Sequence, residues 1–204
     1  MASDFNSLSL PFASGRLDST SSRRRLLKYG VLAAASCLAP SLTWANSQRL
    51  SPAAPRSPER TLSFHNLHTG ENLRTVYWQD GDYVPEALAD IDHILRDHRT
   101  DDTVAIDLGL LNLLYALQQT LDTDEPFHII SGYRSPKTNA MLRRQSEGVA
   151  KKSFHMQGRA IDIRVPKRRT KAVQQAALKL SRGGVGYYPR SDFVHVDTGH
   201  IRRW

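Results

Sequence analysis

Ser153-Phe154-His155-Met156-Gln157-Gly158-Arg159-Ala160-Ile161-Asp162-Ile163-Arg164-Val165 carries a histidine and an aspartate on either side of a glycine. After Gly158 the chain alternates. Ile161, Ile163 and Val165 share one face, and Ala160, Asp162 and Arg164 share the other. A period of two predicts a strand whose apolar face enters the core, so that Asp162 points away from it. The run Phe193-Val194-His195-Val196-Asp197 reads the same way: Val194 and Val196 face one side, and Phe193, His195 and Asp197 face the other. If the two strands are neighbours, Asp162 and His195 meet on one surface. His155 then reaches them from the loop before the first strand. Two histidines and one carboxylate around an open position are the ligand pattern of a catalytic rather than a structural zinc site. The same side chains also suit hydrogen-bonded structural roles, and their spacing alone leaves both readings open.

The remainder of the chain reads as scaffold. Its 204 residues suit one domain plus a leader. Net charge is +8, a balance that attracts anionic partners without specifying a fold. No nucleic-acid-binding motif accompanies it, so nucleic acid is not an expected partner. Residues 1–22 are Ser-rich and aperiodic. Arg23-Arg24-Arg25-Leu26-Leu27-Lys28 follow, then a short apolar run from Tyr29 to Pro40 and Thr43-Trp44-Ala45. A basic start, a short apolar middle and small residues at the end make a secretory signal, with cleavage expected after Ala45. The paired arginines resemble a twin-arginine signal, which implies the twin-arginine export machinery as a partner and a periplasmic destination. The apolar run is too short to span a membrane. Cys37 is the only cysteine, so cleavage would leave none and exclude disulfides and thiol catalysis. It would also remove five Lys/Arg and two Asp/Glu, leaving 23 against 18 and a charge of +5.

Residues 46–59, with three prolines, read as a linker, and residues 60–204 as the folded domain. Arg60–His68 and Asn72–Trp78 flank Thr69-Gly70 and predict a hairpin. His65 and His68 beside that turn suit surface or structural roles. Tyr83–His98 has helical spacing at Leu88, Ile91 and Leu95, with Pro85 in its first turn and His93 and His98 off the apolar stripe. Asp107 is the expected N-cap of a second helix, Leu108–Leu121, whose many leucines place it in the core. Phe127–Gly132 predicts a strand, with His128 in a buried structural role. The loop Gly132-Tyr133-Arg134-Ser135-Pro136 then leads into a helix, Lys137–Gln145. Arg134, at a strand end on a rigid loop, is suited to hold an anion or a carbonyl oxygen. A structural ion pair would use the same position.

Ser153-x-His155-x-x-Gly158-x-Ala160-x-Asp162 followed by His195-x-Asp197 resembles the zinc D-Ala-D-Ala peptidases that act on peptidoglycan, whose M15-type fold is shared with the hedgehog signalling domain. The chain is more closely similar to the exported murein endopeptidase K group. Asn66-Leu67-His68-Thr69-Gly70-Glu71, Ile130–Ser135, Gly148–Ser153, Gly183–Pro189 and Phe193–Trp204 carry that likeness across the domain. The resemblance implies an α+β hedgehog/DD-peptidase-type fold, with a small, mainly antiparallel sheet and helices packed on it. It implies a zinc metallopeptidase that cuts peptide cross-links between peptidoglycan stem peptides and so remodels the cell wall. A carboxypeptidase of the same fold and a non-catalytic binding module are the alternatives.

By the same resemblance His155, Asp162 and His195 are the metal ligands, Arg134 holds the developing oxyanion or the peptide's carboxylate, and Tyr133 and Tyr188 contact substrate. The general base is expected at Asp197, two residues from His195 on the same strand face. Asp192 is the alternative, because relatives in the wider family carry a carboxylate three residues before the last histidine. Lys151 and Lys152 suit either an anionic stem peptide or solvent.

Overall fold

A computed structural model describes residues 58–146 and 148–204. The expected signal at 1–45, Cys37 and all but the end of the expected linker lie outside the described residues. One mixed sheet of eight strands, ordered β3-β2-β1-β4-β5-β7-β6-β8, organises the fold. The strands are β1 Glu59–Asn66, β2 Asn72–Gln79, β3 Asp82–Tyr83, β4 Phe127–Ser131, β5 Ala160–Arg164, β6 Gly184–Tyr188, β7 Phe193–Asp197 and β8 Arg202–Arg203. The helices are α1 Pro85–Ile94, α2 Leu108–Leu121, α3 Pro136–Gln145 and α4 Thr170–Leu180.

This corrects the expectation of a small, mainly antiparallel sheet. β4 runs parallel to β1, and β8 runs parallel to β6. The cause is connectivity. The chain leaves the β1–β2–β3 ribbon, passes through α1 and α2, and returns beside β1 in the same direction, as a crossover allows. β3, β6, β8 and α4 had no assignment from sequence. β3 and β8 have two residues each, too few to show a period, and β6 carries two glycines. The buried apolar residues of α4, Val173, Ala176 and Ala177, are small.

Local chemistry accounts for the elements that were legible. The side chain of Asp107 accepts the Leu110 N–H and caps α2, which buries Leu110, Leu111, Leu113, Leu114 and Leu117. Pro85 and Pro136 open α1 and α3, where a missing N–H costs nothing. The predicted first helix ends four residues early. Arg96 binds Glu71 and Asp101, and the buried Asp97 accepts the Ser135 N–H, instead of continuing it. His98 is consequently half-buried rather than solvated and stacks on His68 at 3.9 Å. His128 is also only half-buried, edge-on to His65 at 5.0 Å.

Ile161, Ile163, Val194 and Val196 are fully buried in one cluster with α2 and the small residues of α4. The opposite face of β5 and β7 is thereby left to their polar residues. A ladder of backbone contacts braces that face. Asn66 Nδ2 donates to Ile94 O, and the Tyr133 N–H donates to Leu95 O at 2.7 Å. Gly132 sits so close to this strand of contacts that a Cβ there would lie 2.4 Å from Leu95 O. Since that neighbour is backbone, Gly132→Ala is expected to destabilise the domain by about 1–3 kcal/mol, as overpacking does. The corresponding fall in Tm, read by calorimetry, is roughly 3–10 °C.

Candidate metal centre

β5 and β7 are antiparallel neighbours, and Asp162 stands directly opposite His195. His155 comes from a single 3-10 turn, Phe154–Gln157, rather than from irregular loop. The Ser153 hydroxyl caps this turn by accepting the His155 N–H, and Gly158 ends it at φ +63°. A side chain at 158 would be strained there and would meet Ala105 O at 2.8 Å, so the turn into β5 needs glycine.

Three ligand atoms converge. His195 Nδ1 lies 2.9 Å from Asp162 Oδ1 and 3.2 Å from His155 Nε2, and the latter is 3.3 Å from Asp162 Oδ1. Ligand bonds of about 2.0–2.1 Å in a tetrahedral site separate donor atoms by roughly 3.3 Å. The triangle therefore has the size of three corners of such a site. All three residues are buried, and the cluster opens on a cavity of about 700 Å³.

The outer hydrogen bonds select which nitrogen faces the cluster. His155 Nδ1 is 2.7 Å from Gly132 O. A carbonyl can only accept, so Nδ1 carries the proton and the Nε2 lone pair points inward. His195 uses the opposite nitrogen: Nε2 lies 2.9 Å from Asp197 Oδ2, leaving Nδ1 for the cluster. Partners of this kind fix the tautomer and ring orientation of metal-binding histidines.

The charges also fit a cation. Asp162 and Asp197 flank one imidazole, and a neutral ring has only one N–H to share between them. Burial opposes charging His195, but the two carboxylates outweigh it and raise its pKa above the ordinary value. Burial likewise works against ionised Asp162, yet the His155 and His195 rings beside it hold its carboxyl well below the usual range. A divalent ion among these donors would supply the positive charge that the Asp162 side otherwise takes from a proton.

Neither carboxylate expected as the general base lines the cavity among the described residues. Asp197 is completely buried, and both oxygens are engaged. Oδ1 accepts from the Gly184 and Gly199 N–H groups, and the Arg202 guanidinium spans both oxygens at 3.0 and 2.7 Å. Its lone pairs are thus committed to protein donors, an arrangement suited to orienting His195. Asp192 lies on the exposed turn before β7, where it bonds Thr170 and pairs with Arg164 at 3.5 Å, and it does not line the cavity.

The remaining expected residues divide. Arg134 lines the cavity, with Nη2 3.6 Å from Asp162 Oδ2 and 3.2 Å from Ser131 Oγ. Tyr188 lines it as well, but Tyr133 does not. Lys152, but not Lys151, reaches the lining. Sequence reasoning gave no role to Arg202, Phe154 or Trp204. Arg202 packs its guanidinium on both aromatic rings, at 5.3 and 4.9 Å. The short tail that carries Arg202 and Trp204 has no periodic pattern to reveal this.

The family model described as Peptidoglycan L,D-endopeptidase MepK matches residues 54–204. The chain is 43% identical over 182 residues to the peptidoglycan L,D-endopeptidase MepK of Escherichia coli strain K12, covering 89% of this chain and 96% of that protein. It is also 43% identical over 146 residues to a probable peptidoglycan L,D-endopeptidase MepK of Haemophilus influenzae, covering 71% of this chain and 78% of that one.

Asp197→Asn leaves His195 Nε2 with a weaker acceptor and loses one carboxylate oxygen to Arg202. Metal affinity, measured by competition with a chromophoric chelator, is expected to fall about 10- to 100-fold. An unchanged affinity would remove Asp197 from the role of orienting His195.

Proposed function

The chain belongs to the peptidoglycan L,D-endopeptidase MepK family, and from that premise we propose that it is an exported zinc peptidase of hedgehog/DD-peptidase-type architecture. It is a hydrolase of the peptide cross-links of peptidoglycan. The observation that carries the reading is the triangle of His155 Nε2, Asp162 Oδ1 and His195 Nδ1 at the mouth of an open cavity. Two imidazoles and a carboxylate suit zinc, and three protein ligands leave a position for water.

Zinc, when bound by these three residues, supplies Lewis-acid chemistry and brings a water's pKa to about 7. The protein's own groups do the rest. Gly132 O and Asp197 keep the two histidines in the tautomers that present lone pairs inward. Arg134, charged and largely buried, holds the negative oxygen that develops when the scissile carbonyl is attacked. Its tether to Ser131 and its ion pair with Asp162 set its position before substrate arrives. Tyr188, Phe193 and Trp204 form an aromatic lining of the cavity.

The name of the relatives supports an L,D cross-link as the bond cut, and the resemblance to the murein endopeptidase K group implies links between two diaminopimelate residues. The Arg-Arg leader supports twin-arginine export to the periplasm with removal of residues 1–45, leaving 60–204 as the peptidase domain. Among the described residues no helix is long and apolar enough to cross a membrane.

Incubation of the zinc-loaded protein with peptidoglycan sacculi is expected to convert cross-linked dimers to monomers, read by mass spectrometry of the muropeptides. A chelator is expected to abolish the conversion and added zinc to restore it. Dimers left intact while single amino acids are released would show a carboxypeptidase instead. In the same assay Arg134→Ala is expected to lower kcat by about 100- to 1000-fold, the usual effect of losing one oxyanion donor.

A further inference from the structure

Trp204 is held more firmly than an exposed residue needs to be. The residue is 48% exposed, yet its backbone is paired with β6 through Val185 O and the Tyr187 N–H. Its indole Nε1 donates to Tyr188 Oη at 2.7 Å, and the Arg202 guanidinium lies over its ring at 4.9 Å. The ring occupies the space a Cβ would take at Gly186, whose absent side chain would meet it at 2.8 Å. Gly186 in turn stands opposite His195, and the Trp204 ring is centred 5.2 Å from the His195 ring. Tyr188, its hydrogen-bond partner, stacks on Phe193 at 4.4 Å. Among the described large apolar side chains that are exposed, Leu67, Leu108, Ile201 and Trp204, only Trp204 lines the cavity of the metal centre. An aromatic ring fixed by several contacts while facing solvent is preorganised for a ligand, since its ordering cost is met before binding.

The chemistry of the cross-links says what such a wall can distinguish. In a diaminopimelate–diaminopimelate link and in a D-alanine–diaminopimelate link the amine side of the scissile bond is the same. The difference lies on the acyl side, where one substrate offers a long aliphatic chain with a charged end and the other a methyl group. We propose that Trp204, with Tyr188 and Phe193 behind it, is the specificity-determining wall for the acyl-side residue. Its ring packs along the aliphatic chain of diaminopimelate, and the cations at the cavity, Lys152 among them, meet the charged end. The proposal rests on the peptidase reading above and explains how that site prefers one cross-link over the other.

The test compares full-length, zinc-loaded wild type with Trp204→Ala and Trp204→Phe. KM and kcat are measured on a diaminopimelate-linked dimer. Binding of a diaminopimelate-ended tripeptide and of a D-alanine-ended tetrapeptide is measured by direct titration. Trp204→Ala is expected to raise KM and weaken the tripeptide about tenfold, within the range that loss of a hydrophobic pocket contact gives. It is expected to leave kcat, tetrapeptide binding and zinc affinity within about twofold. Trp204→Phe keeps a ring at the wall and is expected to recover most of the loss. Equal weakening of both peptides, or a fall in zinc affinity that accounts for the change, would overturn the proposal and make Trp204 a structural cover of His195. Failure of the peptidase reading looks different: the wild type then cleaves no dimer, while the titration still reports on Trp204.

Discussion

Two buried carboxylates share one imidazole, and the site is built around satisfying them. Asp162 approaches His195 at Nδ1 and Asp197 approaches it at Nε2, each at 2.9 Å. An unpaired buried charge is costly enough that each carboxylate must find positive charge or donors nearby. Asp197 finds Arg202 and two backbone N–H groups. Asp162 has two histidines and, more distantly, Arg134. The difference in completeness separates their roles. The carboxylate saturated by Arg202 and backbone donors suits a brace, and the one left with the two histidines suits a metal ligand.

The scaffold can be traced outward from that requirement. His155 needs an acceptor for its outer N–H and receives it from Gly132 O at the end of β4. Gly132 is placed by its neighbour Tyr133, whose N–H is bound to Leu95 O just past α1. α1 is joined in turn to the β1–β2 turn by Asn66, whose side chain reaches Ile94 O and also accepts from the His68 and Thr69 N–H groups. The Asn66–Glu71 stretch thus contributes to the centre without touching it. The Asp97 carboxylate does the same for the loop that carries Arg134, by accepting the N–H groups of Ser135 and Arg99. Catalytic geometry depends on such supporting contacts as much as on the ligands themselves.

Among the described residues, the cavity lining has no carboxylate free to move a proton. Asp162 faces the metal position, Asp197 is enclosed, and Asp192 sits out on a turn. Its described lining instead combines cations, Arg134, Lys152 and Arg202, with rings, Phe154, Tyr188, Phe193 and Trp204. That combination suits a substrate with carboxylates carried on aliphatic chains, which is the chemistry of cross-linked stem peptides.

Local order was legible wherever it leaves a local trace. The alternation in Ala160–Arg164 and Phe193–Asp197 showed which side chains face away from the apolar side, and the family resemblance then singled out His155, Asp162 and His195. Asp107, Pro85 and Pro136 marked helix starts because capping involves residues only a few positions apart. Tertiary structure alone decided the register that sets Asp162 opposite His195, the parallel returns of β4 and β8, and the placing of Trp204 over Gly186. It also enclosed Asp197 among donors that strand parity does not reveal. Strand parity tells which face a carboxylate takes. Whether that carboxylate is free depends on donors such as Arg202 and the Gly184 N–H, which the pattern of one strand does not contain.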